Sequence, residues 1–235
     1  MREKLIRLAI RYRGDYTSVK RALRKKENPP DCELQKAITI LDDEYPEELR
    51  QLKKPPFVLF YEGNKELLRG RKAAVVGSRL AKDYAIKATE DIVEKMNGQF
   101  VIVSGMAKGI DAVAHWKAER SIGILGNGLN VVYPKENRDL YDHMRKNGLL
   151  LTEYPEDVEP RKEHFPFRNR IIAALAEAVI VTQASNKSGT MLTVNEALNL
   201  GKDIYTIPYR LTDKEGTGCN KLIQQGAFVI LSEEK

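Results

Sequence analysis

Short runs of Val, Ile, Leu and Ala recur along most of the chain, each followed by a stretch with helical spacing of its apolar positions. The runs are FVLFYEG (57–63), AAVVGS (73–78), FVIVSG (100–105), IGILGNG (122–128), LLLTEY (149–154), AVIVTQA (178–184), DIYTIP (203–208) and AFVIL (227–231). Between them lie the helix-like stretches at 83–97, 109–119, 137–148, 168–177, 190–201 and 220–226. Strands that are almost wholly apolar, separated by helices, are what a parallel sheet buried on both faces requires. The pattern therefore predicts a doubly wound α/β fold, a mostly parallel, extended Rossmann-like sheet. Ahead of it, Leu5, Leu8, Ala9 and Tyr12 share one helical face, and a second helix restarts after Gly14-Asp15 with Thr17 or Ser18 as its expected cap. The stretch between the two Pro-Pro pairs, 29–56, reads as a turn-rich connector with one or two short helices. The expected division is a small basic helical segment over 1–44 and a Rossmann-like domain over 45–235, with no winged-helix domain after it.

Charge changes this picture only locally. Residues 1–27 carry ten Lys/Arg against three Asp/Glu, a net +7, which leaves 29 against 30 for the remainder of a chain whose total is +6. The basic excess belongs to the N-terminal helices, so binding of an anion by the main body has to rest on clusters. No apolar run reaches the ~20 residues of a membrane span, and the charged N-terminus lacks a secretory cleavage pattern. Cys32 and Cys219 are far apart with no CxxC, so neither a zinc site nor a disulfide framework is expected, and a cytoplasmic location is.

In a doubly wound sheet, ligands bind beyond the carboxyl ends of the strands. The turns there are small and partly basic: Gly77-Ser78-Arg79, Ser104-Gly105, Lys108-Gly109, Gly126-Asn127-Gly128 and Asn186-Lys187-Ser188-Gly189-Thr190. Each glycine can serve a sharp turn alone, yet their repetition on one rim predicts a row of anion-binding backbone amides at helix N-termini. No G-x-x-x-x-G-K-[ST] is present, and Val131 stands where a third glycine of G-x-G-x-x-G would fall, which argues against a P-loop nucleotidase and against NAD. No cofactor and no metal are expected.

Catalytic patterns are sparse. Asp111 and His115 are four apart on one helix, and the bland expectation is a structural hydrogen bond between them. Glu153 sits on the functional rim, either as a base or paired with an arginine. The densest cluster is His164-Phe165-Pro166-Phe167-Arg168-Asn169-Arg170. As a helix start it would use Asn169 as cap, but two arginines in a first turn oppose the macrodipole unless an anion lies between them. Aromatic rings beside arginines also suit single-stranded nucleic acid, with bases on the rings and phosphates on the cations.

The blocks VGSR (76–79), VSGMAKGIDAVAH (103–115), LGNGLNVVYPKENRDLY (125–141), TEYP (152–155), FPFRNRIIAAL (165–175), KSGTMLTVNEALNLGKDIYTIP (187–208) and GCNKLIQQGA (218–227) together resemble the DNA-processing protein A (DprA/Smf) family. The resemblance covers roughly 45–231, in order. It implies a non-enzymatic protein that binds single-stranded DNA without sequence preference, protects incoming strands, helps load the RecA recombinase in natural transformation, and works as a homodimer. Carried over residue by residue, it implies DNA contacts at Arg79, Ser104, Gly105, Phe165, Arg168, Asn169, Arg170, Lys187, Ser188, Gly189 and Thr190. Phosphate contacts at Arg79, Arg168, Arg170 and Lys187 would give a log–log salt slope of about −3. The family's Val-Pro-Gly is here Ile207-Pro208-Tyr209, so that turn is expected to differ. The rival expectation, on the same fold, is hydrolysis of a nucleotide N-glycosidic bond assisted by Glu153 or Asp111; a third is a nucleotide-sensing module.

Overall fold

The computed structural model describes residues 1–231. The chain opens with α1 (Arg2–Arg11) and α2 (Tyr16–Arg24), then β1 (Ala37–Thr39), the short α3 (Glu47–Arg50) and β2 (Val58–Gly63). The alternating part follows as β3 (Lys72–Gly77), α4 (Asp83–Met96), β4 (Val101–Gly105), α5 (Ile110–Lys117), β5 (Ser121–Ile124), α6 (Arg138–Asn147) and β6 (Leu149–Thr152). It closes with α7 (His164–Leu175), β7 (Ala178–Gln183), α8 (Thr190–Asn199), β8 (Asp203–Thr206), α9 (Thr217–Gln224) and β9 (Phe228–Val229). Every apolar run becomes a strand. β1, inside the expected connector, has only three residues, too few for a period of two to stand out.

The sheet order is β1-β2-β6-β5-β4-β3-β7-β8-β9. β3 to β9 are parallel, while β1 and β2 add antiparallel at one edge. From β3 the chain winds outward to β6, returns beside β3 as β7, and winds the other way to β9. The direction therefore reverses between β3 and β7, and the turns after those strands flank the crevice. Alternate side chains face opposite layers: Ala74, Val76, Val103 and Val181 pack with α7 and α8, whereas Val75, Ile102 and Ile180 pack with Ala85 and Val93 of α4 and Ala114 of α5.

The N-terminal helices are part of this packing. Leu5, Ile6 and Ala9 of α1 join Phe60, Leu140, Tyr141 and Leu150 in one core, and Val19 and Ala22 of α2 close over Leu8. The cap of α2 is Asp15, which accepts the Ser18 N–H at 2.8 Å; Thr17 and Ser18 already lie inside the helix. Part of the basic excess is matched internally, by Arg2–Asp42 at 2.9 Å, Arg11–Glu27 at 3.2 Å and Arg7–Asp31.

One glycine locks the rim. Gly109 has φ +74°, and a Cβ there would lie 2.2 Å from the Ser78 carbonyl oxygen. The Ile110 N–H donates to that same oxygen at 3.1 Å. The turn after β4 is thus seated on the turn after β3, with no room for any side chain between them.

Candidate nucleic-acid interface

α7 begins earlier than its sequence pattern indicates. Its N-cap is Glu163 and its first residue His164, so Asn169 is the sixth helical residue and not a cap. Pro166 falls in the first turn, where its missing N–H costs nothing. Arg168 and Arg170 consequently lie beyond the first turn, out of reach of the positive end of the helix dipole. What governs them is burial: each is only 6% exposed.

The two arginines have different surroundings. Arg170 is largely satisfied by protein, with four of its five N–H donors bonded. Its Nη1 and Nη2 donate to the two carboxylate oxygens of Glu153, both at 2.7 Å. It also donates to the carbonyls of Lys54 at 3.1 Å and Phe167 at 2.8 Å, under the Phe167 ring at 3.7 Å. Glu153 thus neutralises Arg170 inside the protein and four of its five N–H donors are taken, which counts against the expected phosphate contact. Glu153 is equally committed, as an ion-pair partner and not as a free base.

Arg168 instead lies under the rim. It donates to the Ile124 carbonyl and, at 3.3 Å, to the Asn169 side chain, and its guanidinium rests on Gly105, where a Cβ would stand 2.6 Å away. Among the described residues it forms no ion pair. Burial pulls its pKa down, and the nearby Asp111 carboxylate opposes that effect. Asp111, in turn, is pushed up to about 6 by burial despite the attraction of Arg168, and accepts the Ala107 N–H at 3.4 Å.

Above Arg168 opens a cleft of about 110 Å³ whose walls include Phe165, Tyr133, Arg79, Lys108 and Asn127. Phe165 faces Tyr133 with ring centroids 5.4 Å apart, and the exposed Arg79 lies 5.7 Å over the Phe165 ring. Phe167 points the other way, toward Tyr16 of α2, at 6.2 Å. Lys108 is paired with Glu136. Tyr133 lies in the LGNGLNVVYPKENRDLY block, but carries no charge that would mark it as a contact; its folding against Phe165 makes it a wall.

The glycine turns have unequal roles. A Cβ on Gly126 would strike the Phe165 ring at 2.9 Å, and one on Gly128 the Pro155 and Glu156 carbonyls at 2.1 Å. Those glycines, like Gly105, are small because protein atoms fill the space, which corrects the expectation that the whole row is open to an anion. The turn before α8 differs: among the described residues nothing lies within 4 Å of a Gly189 Cβ and the buried Ser188 Oγ has no partner, and Lys187 is exposed. The Thr190 hydroxyl ties this turn to β3 by donating to the Gly77 carbonyl at 3.0 Å. Ser104 is buried and donates to the Val75 carbonyl at 2.6 Å.

The expected Asp111–His115 hydrogen bond is not formed. His115 Nδ1 bonds to Ser121 Oγ at 2.5 Å, and burial pulls its pKa down to about 3. In the unfolded chain the same group takes a proton below about 6.5, so the native state loses stability as pH falls from there toward 3. His115→Asn, which cannot titrate, is expected to gain on the wild type steadily between pH 7 and 4 in urea melts; a constant difference would refute this. His164 Nδ1 pairs with the Gly126 carbonyl at 3.0 Å while its ring stacks on Tyr154 at 4.0 Å. No group of His, Cys, Asp and Glu suited to a metal ion occurs among the described residues, and no helix there is long and apolar enough to cross a membrane.

Fold and site define a Rossmann-like protein whose carboxyl rim presents cations and aromatic faces together. The chain belongs to the DNA recombination-mediator protein A family, whose family model matches residues 36–235. Among its relatives, DNA processing protein DprA of Streptococcus pneumoniae is 43% identical over 200 residues, covering 83% of this chain and 71% of that protein. The corresponding protein of Bacillus subtilis is 42% identical, covering 84% and 68%. The X-ray structure of the Streptococcus pneumoniae protein superposes with a TM-score of 0.82 at 39% identity, over 93% of this chain and 75% of that one. A structure of DNA processing protein A from Helicobacter pylori, concerned with its single-stranded DNA binding mode, gives a TM-score of 0.79 at 33% identity, over 84% and 92%.

Proposed function

We propose that this protein binds single-stranded DNA along the carboxyl rim, without sequence preference and without breaking a bond, as a DNA-processing factor of transformation and recombination. The observation that carries the reading is Arg168: a buried guanidinium that forms no ion pair among the described residues, with only the long-range pull of the Asp111 carboxylate to compensate it, on an aromatic-walled cleft whose lining includes a second, exposed cation, Arg79. Removing a cation from water is costly unless an anion compensates it. A phosphate entering the cleft would supply that anion, and a base would lie against Phe165. Lys187, Ser188, Gly189 and Thr190 would take the next phosphate in the open turn before α8, Gly105 and Asn169 would position Arg168, and Ser104 would hold the end of β4 against β3 through the Val75 carbonyl. The relatives support the reading, since one of them is described by its single-stranded DNA binding mode.

With Arg170 committed to Glu153, three cations remain: Arg79, Arg168 and Lys187. Fluorescence anisotropy with a labelled oligonucleotide should give a log–log salt slope of about −2 or steeper. A slope near zero, or equal affinity for duplex and single strand, would sink the binding mode. In the cell the protein would act in the cytoplasm, as a homodimer, protecting incoming strands and handing them to RecA. Of the two bases the rival hydrolase reading could use, Glu153 is taken, because both its oxygens are held by Arg170, which leaves the buried Asp111.

A further inference from the structure

Two Arg-Leu pairs stand on this rim, one at the edge of the cleft and one away from it. Arg79-Leu80 forms the tip of the turn after β3, and Arg210-Leu211 the tip of the loop after β8. All four side chains are exposed, Leu80 by 83% and Leu211 by 97%. β7 lies between β3 and β8, so the Lys187 turn stands between the two tips. At the ~4.8 Å spacing of neighbouring strands, the strands bearing the tips lie about 10 Å apart.

The loop after β8 is held firmly. The Tyr209 hydroxyl donates to the Thr182 carbonyl at 2.5 Å, and the Asn220 side chain bonds both the N–H and the carbonyl of Tyr209 at 2.9 Å. A Cβ on Gly216 would lie 1.9 Å from the Tyr209 ring, so the loop is folded closely around that ring. Tyr209 also bridges the two tips: it meets Tyr84 edge-on at 5.2 Å, and the Tyr84 hydroxyl donates to the Pro208 carbonyl at 3.1 Å. Gln183, from β7, accepts the Lys82 N–H at 2.8 Å and donates to the Leu80 carbonyl at 3.2 Å. Tyr209 is the residue that replaces the expected glycine, and it is what makes this loop a fixed extension of the rim. Arg210 has no ion pair among the described residues, although Asp213 and Glu215 share its loop.

We propose that Arg210 and Leu211 form a second strand-contacting subsite, Arg210 taking a phosphate and Leu211 lying against a base. A bound single strand would run from the Phe165 cleft past Arg79 and Lys187 to the loop after β8. Fixed cations beside exposed apolar tips match a ligand that alternates anionic groups with flat apolar ones. This inference rests on the single-stranded DNA reading of the rim. The test is anisotropy with oligothymidylates of increasing length, for wild type, Arg79→Ala, Arg210→Ala and Leu211→Ser. Arg210→Ala should bind the longest oligomer about tenfold more weakly, the loss of one charge-assisted contact. Its salt slope should be shallower by about 0.7, and its gain of affinity with length should level off earlier than in wild type. Leu211→Ser should weaken long oligomers without changing the slope. Arg79→Ala should weaken every length. If the wild type binds well and Arg210→Ala matches it in affinity and slope at all lengths, the second subsite is refuted while the cleft stands. If the wild type binds no oligomer, both fall. If Arg210→Ala or Leu211→Ser alters self-association in sedimentation but leaves oligomer binding unchanged, the surface is a protein contact and the subsite is refuted.

Discussion

Glu153→Ala is expected to destabilise the protein by about 3–5 kcal/mol, because it strands Arg170 as an unpaired buried cation. The pair is only 7% and 6% exposed at its two side chains, and both oxygens face both terminal nitrogens. Its remaining partners, the Lys54 and Phe167 carbonyls, are neutral and do not replace the lost charge. The damage should spread, since Phe167 over the guanidinium also meets Tyr16 of α2. Urea denaturation would measure it. A double variant, Glu153→Leu with Arg170→Leu, should recover much of the loss, because two apolar side chains leave no buried charge. A Glu153→Ala loss below about 1 kcal/mol, the range of an exposed pair, would show that the pair is open to water.

Arg168→Ala is expected to weaken single-stranded DNA binding by about 100-fold or more, as truncating one member of a buried charge contact costs 2–5 kcal/mol of binding. Three geometrical facts make this the largest binding effect on the rim. The guanidinium is buried, so a phosphate beside it is poorly screened. It is held in place by the Ile124 carbonyl and by the bare face of Gly105. It also lines the same cleft as Phe165 and Arg79. Arg168→Lys should recover only part of the affinity, since an ammonium cannot reproduce the planar fit over Gly105. Unchanged affinity of Arg168→Ala in the anisotropy assay would refute the site assignment, and a thermal melt separates lost binding from lost fold.

Much of the fold is legible in the chain. Continuous Val/Ile/Leu runs can be satisfied only by strands covered on both faces, and the intervening helical spacing supplies the cover. The pattern fails where it is too short, at β1, and where local chemistry competes, as at the caps. Ser, Asp and Asn can all cap, and which one does depends on where the backbone turns; Asp15 wins beside Gly14, whose φ is +77°. α7 starts ahead of its sequence pattern because His164 to Phe167 carry no helical periodicity and contain a proline.

The layered architecture, the rim on which polar chemistry collects, and the cluster around Phe165 to Arg170 are all written in the order of residues along the chain. Only the tertiary structure divided that cluster. Two arginines two positions apart on α7 look alike as letters, but consecutive helical positions differ by 100° in direction, so these two face different neighbours. Arg170 meets Glu153, which arrives from the end of β6, and is neutralised by it. Arg168 meets a glycine and a carbonyl at the ends of β4 and β5, and keeps its charge for the cleft. The same logic sorts the glycines: Gly105 and Gly126 are filled by Arg168 and Phe165, whereas Gly189 stands open. Partners supplied by distant segments decide which charges are spent and which remain to bind, and nothing local to a motif encodes them.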